Sequence, residues 1–188
     1  MSNPSTSRLV HRIDAAVASG DPAQICPAVK AILSEEVGGG RLALPEGLLA
    51  AARDGYARRL LHLDPSGRYS IVIMVWGKGQ GTPIHDHAGM WCVECVYRGR
   101  IRVSSYEFVG EEPGGRVRFR CEGTVTAGLA EAGALIPPWD YHVIENEGTS
   151  PAITIHVYGG EMAGCHSFAQ VEGDLYERRW KALGYTAG

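Results

Sequence analysis

The stretch Gly77-Lys78-Gly79-Gln80-Gly81-Thr82-Pro83-Ile84-His85-Asp86-His87-Ala88-Gly89-Met90-Trp91-Cys92 decides the fold. Its glycines and proline break any helix. The His-x-His that follows sets two imidazoles at a separation that turns both to one face of a β-strand. Two convergent ligands are thereby encoded locally. A pair of hydrogen-bonded core histidines meets the same spacing, so a metal site needs a third ligand. His142 is the candidate, in Pro137-Pro138-Trp139-Asp140-Tyr141-His142-Val143-Ile144-Glu145-Asn146 at the start of a later predicted strand. Three neutral imidazoles leave a divalent charge uncompensated and coordination positions open, which favours an anionic, chelating substrate.

Outward from this stretch the chain reads as mainly β. From Tyr56 onward, short β-branched and aromatic runs alternate with turn clusters: Asp64-Pro65-Ser66-Gly67, residues 77–81, Gly110 to Gly115, and Glu147-Gly148-Thr149-Ser150. Strands are predicted near 56–62, 69–76, 83–87, 92–98, 101–108, 116–121, 133–136, 141–145 and 152–158. Such short antiparallel strands suggest a small barrel or jelly roll. Before Asp54 the pattern is helical, with Leu9, Ile13 and Ala16/Val17 as one stripe and Val29, Ile32 and Leu33 as another. Asp21 can cap the second helix with Pro22 at its first position, and Gly38-Gly39-Gly40 ends it. The tail from Asp174 to Leu183 reads as a closing helix. One domain over 1–188 is expected: a helical segment (1–54), a β-barrel with the metal site (55–170) and a closing segment (171–188).

Composition narrows the function. Of 188 residues, 45% are hydrophobic and 21% charged, as in ordinary globular proteins. A net charge of −3 leaves no basic footprint for nucleic acid or an anionic membrane surface. No apolar run is long enough for a membrane span or a secretory signal, so a cytoplasmic location is expected. The odd count of cysteines (Cys26, Cys92, Cys95, Cys121 and Cys165) fits free thiols better than a disulfide framework.

Three further clusters carry polar chemistry. Thr154, His156 and Tyr158 alternate with apolar neighbours, so one strand face presents hydroxyl, imidazole and phenol in line, as an ordering chain or relay. Tyr56 and Arg58 share a face of the first strand. Glu94 should point inward beside Cys92 and pair with a buried donor rather than a metal. Arg116, Arg118 and Arg120 alternate with Val117 and Phe119, as on a strand with one solvated face.

The glycine-spaced His-x-His with a later lone histidine resembles the ligand arrangement of the cupin barrel. Cupins commonly add a Glu a few residues after His-x-His, and Cys92 stands there instead. Taken with the other clusters, the chain from about Tyr56 to Gln170 resembles the type I cysteine dioxygenase family. That resemblance implies iron(II) held by His85, His87 and His142. It implies substrate-carboxylate binding by Arg58 with Tyr56. It also implies that Thr154, His156 and Tyr158 stand for the family's Ser-x-His-x-Tyr, that Cys92 and Tyr158 are the pair joined by a thioether in some members, and that Cys165-His166-Ser167-Phe168 stands for Cys-His-Ala-Phe. The family's Ser-Pro-Pro after the tyrosine is replaced by Gly159-Gly160, so the local geometry there should differ. The implied partners are L-cysteine and O2. Relatives that prefer 3-mercaptopropionate carry Gln where this chain has Arg58 and usually Gly where it has Cys92. Alternatives are a dioxygenase for another small thiol (3-mercaptopropionate, cysteamine, mercaptosuccinate), a three-histidine zinc hydrolase or lyase, and a non-catalytic metal-binding cupin sensor.

Overall fold

A computed structural model describes residues 3–187. Helices α1 (Pro4–Val17) and α2 (Pro22–Gly38) come first, then strands β1 (Ala57–Leu63), β2 (Ser70–Trp76), β3 (Ile84–His85), β4 (Cys92–Arg98), β5 (Ile101–Glu112), β6 (Arg116–Ala127), β7 (Ala132–Leu135), β8 (His142–Glu145), β9 (Ala152–Tyr158), β10 (Gly164–Glu172) and β11 (Leu175–Ala182). The Asp21 carboxylate accepts from the Ala23 N–H at 3.0 Å and Pro22 opens α2, so an otherwise unmatched donor of the first turn is satisfied.

The strands form a five-stranded sheet in the order β1-β2-β9-β4-β7 and a closed ring β10-β11-β6-β5-β8-β3. The architecture is mainly β and cupin-like, with the two helices on the outside. Both faces of the five-stranded sheet are covered, so β2 and β9 are buried along their whole length. The outer face joins Ile71, Ile73, Val75, Val93, Ile153, Ile155 and Val157 to Leu9, Ile13, Val29 and Leu33 of the helices. The inner face contributes Val72, Met74, Trp76, Cys92, Val96 and Tyr158 to the barrel interior. Cys92 and Cys95 stand at Cys-x-x-Cys spacing, but an odd separation on a strand sends them to opposite faces, Cys92 inward and Cys95 toward the helices. All five cysteines are free thiols.

Two expectations are corrected. The tail is a strand, not a closing helix: β11 turns back at Gly173 (φ +55°) and pairs along β10 and with β6. Tyr176, Trp180 and Leu183 also fit helical spacing, and the availability of two strand partners decides the outcome. The predicted strand at 83–87 shrinks to Ile84–His85, leaving His87 in the turn after it. Strands β5 and β6 run longer than expected, as a hairpin extending to Glu112 and from Arg116. Arg118 pairs with Glu112 and Asp174, and Arg120 with Glu107, so these arginines belong to a salt-bridged surface. No described helix is long and apolar enough to cross a membrane.

Candidate metal centre

His85 closes β3 and faces His142, the first residue of β8, as its register partner. His87 follows in a turn through Ala88 (φ +52°) and Gly89 (φ +78°). Asp140 anchors it, accepting from the His87 backbone N–H at 3.0 Å and lying 3.3 Å from Nδ1. One potential ligand atom from each of His85, His87 and His142 falls within 4.8 Å of the others. The Nε2 atoms of His85 and His142 face one another at 3.2 Å. Burial pushes His85 down to about 3 and His142 well below the ordinary imidazole value, with each ring's histidine neighbours adding to the effect. The His85 and His142 rings are therefore neutral, and their facing Nε2 atoms can offer lone pairs to one ion, with His87 close by. That donor set fits a transition-metal ion.

The sequence's Asp86 does not face this centre. Its carboxylate accepts from the His166 backbone N–H and meets His166 Nδ1, each at 2.9 Å, clasping β3 to β10. Asp140 and the Asp86–His166 clasp escaped the sequence reading because their partners lie 53 and 80 residues away. Adjacency to the histidines was the one signal that could have flagged them.

Beside the triad lies a pocket whose walls include Tyr56, Arg58, Trp76, His156 and Tyr158, with His85 at its edge. Its open space is about 30 Å³, so only a small ligand can be accommodated. Arg58 is buried, donates from Nη2 to the Met162 carbonyl at 2.7 Å, and stacks at 4.9 Å on the Tyr185 ring. No described carboxylate pairs with it, and the pocket wall contains no Asp or Glu. A buried cation without a counter-charge is costly, so the site is disposed toward an anion. The C-terminal segment holds this arginine: Thr186 Oγ1 accepts from Arg58 N–H at 3.0 Å, and Thr186 N–H donates to Arg58 O at 2.7 Å. Lys181 of β11 also lines the pocket, its ammonium 5.7 Å from the Tyr56 ring centre. Reading the tail as a helix hid this second cation.

Along β9, Trp76 Nε1–H donates to Thr154 Oγ1 at 2.9 Å, and Thr154 Oγ1 lies 2.7 Å from His156 Nε2. Tyr158 is not linked to this chain by a hydrogen bond. Its hydroxyl donates to Met74 Sδ at 3.8 Å, while its ring stacks on His156 with centroids 5.8 Å apart. Cys92 and Tyr158 are register partners across β4 and β9. Burial pushes both the Cys92 thiol and the Tyr158 phenol well above their ordinary values. Gly159-Gly160 has a steric cause: a Cβ at 159 would collide with the Trp91 indole, and Gly160 has φ +146° with Met90 against it.

Residues 49–171 match the family model for cysteine dioxygenase type I. The chain is 25% identical over 119 residues to cysteine dioxygenase type 1 of Rattus norvegicus and of Homo sapiens, and 24% identical to that of Danio rerio. Each alignment covers 63% of this chain and 58% of the relative, so the chain matches less than two thirds of the length of these curated relatives. Among solved structures, TT1209 from Thermus thermophilus aligns with a TM-score of 0.49 and 18% identity, over 63% of this chain and 96% of that one. An oxalate oxidase in complex with the substrate analogue glycolate aligns at 0.45 and 18%, over 62% and 59%.

Proposed function

The chain belongs to the cysteine dioxygenase type I family, and from that premise we propose that it is an iron(II)-dependent dioxygenase adding both atoms of O2 to the sulfur of L-cysteine, giving cysteine sulfinic acid. The observation that carries the reading is Arg58, a buried guanidinium with no acid partner among the described residues, in the same small pocket as His85 and Tyr158. Its planar fork can take a carboxylate in two parallel charge-assisted hydrogen bonds, which a glutamine could not match.

Iron(II) on His85, His87 and His142 would supply thiolate binding and O2 activation at neutral pH. The chain's own groups do the rest. Arg58, with Tyr56 beside it, holds the substrate carboxylate and so orients the sulfur toward the triad. Asp140 keeps the His87 ring turned inward. Trp76 and Thr154 fix His156, which stacks against Tyr158 and limits where the phenol can swing. Tyr158, kept protonated by burial, is a hydrogen-bond donor to the reacting groups. A thioether between Cys92 and Tyr158 would form with loss of two hydrogens to O2, lock that phenol, and remove a free thiol from beside the site. The cross-strand register supports this pairing. Intact mass after turnover tests it: a species lighter by about two hydrogens, absent in Cys92→Ala, is expected.

The deciding experiment is O2 uptake by the iron(II)-loaded protein with L-cysteine and 3-mercaptopropionate side by side, with product mass. Uptake with cysteine and a gain of two oxygens is expected; uptake with 3-mercaptopropionate alone defeats the cysteine assignment. One observation favours a second substrate: Lys181 adds a cation to a pocket that has no acid. That would suit a thiol bearing two carboxylates, and mercaptosuccinate belongs in the same panel.

A further inference from the structure

The cupin-type carboxylate missing at Cys92 reappears one inward position further along β4, at Glu94. Glu94 is buried, being only 5% exposed. Its Oε1 lies 3.8 Å from His142 Nδ1, and its Oε2 lies 3.6 Å from His156 Nδ1. These two imidazoles are the only cationic or imidazole groups within ion-pairing distance of it among the described residues. Glu94 Oε2 and His142 Nδ1 are both buried, and neither has a hydrogen-bond partner. On its other side the carboxyl borders a cavity of about 310 Å³ lined by Ile101, Val103, Ser105 and Leu135. The carboxyl is thus not wedged in place, and a shift of under an ångström brings either oxygen to a ring N–H.

The donor order around it is consistent. An indole N–H can only donate, so Thr154 Oγ1 accepts from Trp76. The Thr154 hydroxyl is then free to donate to His156 Nε2 at 2.7 Å. That leaves the proton of His156 on Nδ1, which has Glu94 Oε2 at 3.6 Å and Cys92 Sγ at 4.0 Å before it, the carboxyl oxygen being the stronger acceptor. For His142, Nε2 is the atom turned to the triad, so its proton also sits on Nδ1, facing the other oxygen of the same carboxyl. Pro83 O stands 3.2 Å from His85 Nδ1 and Asp140 3.3 Å from His87 Nδ1, so Glu94 completes an acceptor behind each of the three rings.

We propose that Glu94 is a positioning residue that holds His142 and His156 together in the Nδ1–H tautomer, joining one ring of the metal centre to the ordered histidine of β9 through a single carboxyl. This role rests on the reading of His85, His87 and His142 as metal ligands. An acceptor behind a ligand histidine orients the ring and raises its basicity; burial by itself pushes the Glu94 carboxyl up to about 8, and two ring N–H donors favour its ionised form.

Histidine tautomers in the metal-free, isotope-labelled protein test the proposal by NMR. Wild-type His156 should carry its proton on Nδ1, and in Glu94→Leu it should move to Nε2 and donate to Thr154. Anaerobic titration with iron(II) alone should give an affinity roughly 10- to 100-fold weaker in Glu94→Leu. Glu94→Gln keeps one acceptor oxygen and should recover part of that loss. A wild-type His156 protonated on Nε2 overturns the proposal, as does a folded Glu94→Leu protein that binds iron(II) within about twofold of wild type. If Glu94→Leu fails to fold, the wild-type tautomer and the Glu94→Gln titration still decide. Neither readout uses thiol or O2, so failure of the dioxygenase reading shows only in turnover. Failure of the metal reading shows as a wild type that binds no iron.

Discussion

The two faces of the five-stranded sheet are equally dry and entirely different in chemistry. On β9, Ile153, Ile155 and Val157 pack against the helices, while the residues between them, Thr154, His156 and Tyr158, line the barrel interior. On β4 the same alternation sets Val93 and Cys95 against Cys92 and Glu94. The outer face is held by close packing of apolar groups, which needs no partner geometry beyond shape. The inner face mixes an apolar cluster with donors and acceptors that need partners of matching geometry, and it holds a buried cation, Arg58, against the Met162 carbonyl and the Tyr185 ring. Burial alone therefore does not mark the functional side; the cost of what is buried does.

That contrast can be broken by substitution on either face. The largest effect is expected for His142→Ala, which should lower O2 uptake with cysteine by about 1,000-fold or more and abolish stoichiometric iron binding. Near-normal turnover would remove the triad from the chemistry. Ile155→Ala, on the opposite side of the same strand, should cost about 3 kcal/mol of stability in a denaturant melt while leaving the turnover of folded protein unchanged. A selective loss of activity would mean that the outer face also tunes the site. Arg58→Gln should raise the KM for cysteine by about 30-fold, corresponding to roughly 2 kcal/mol for a charged hydrogen bond in a partly buried site, with a smaller change for substrates that lack a carboxylate.

A pH series separates the faces without mutation. His142 and His156 titrate well below the ordinary value because they are buried neutral. Below about pH 6.5 the unfolded chain binds protons on these rings that the native state does not, so their contribution to the stability of the metal-free protein is complete above that pH and is lost as pH falls from it. A flat profile between about pH 6.5 and 5 would show that these rings accept protons in place. The smallest effect is expected far from both faces: Asp21→Ala, which removes the cap of α2, should cost about 1 kcal/mol with no change in turnover.

Much of this was readable beforehand where a feature is local. The stripes of α1 and α2, the Asp21 cap and the alternation of β9 all depend on neighbours within a few residues, and periodicity reports such neighbours directly. The tail failed for the opposite reason. Its apolar spacing suits helix or strand, and only the edges offered by β10 and β6 make it a strand. Lys181 and Leu183 consequently enter the pocket wall, and Thr186 reaches the backbone of Arg58.

From the sequence alone, Thr154, His156 and Tyr158 could be set on one strand face; the same spacing paired His85 with His87 and Tyr56 with Arg58, although His87 and Tyr56 lie just outside β3 and β1. A strand's two-residue repeat is a property of the backbone and needs no knowledge of the rest of the chain. Packing across the molecule settles which of these faces meet, and what stands behind them. His142 reaches His85 through strand pairing across 57 residues, Asp140 reaches His87 across 53, and Glu94 comes between His142 and His156 because β4 lies beside β9. Those approaches depend on closing long loops and on the packing of both sheets, energies spread over the whole molecule and written in no single stretch of it.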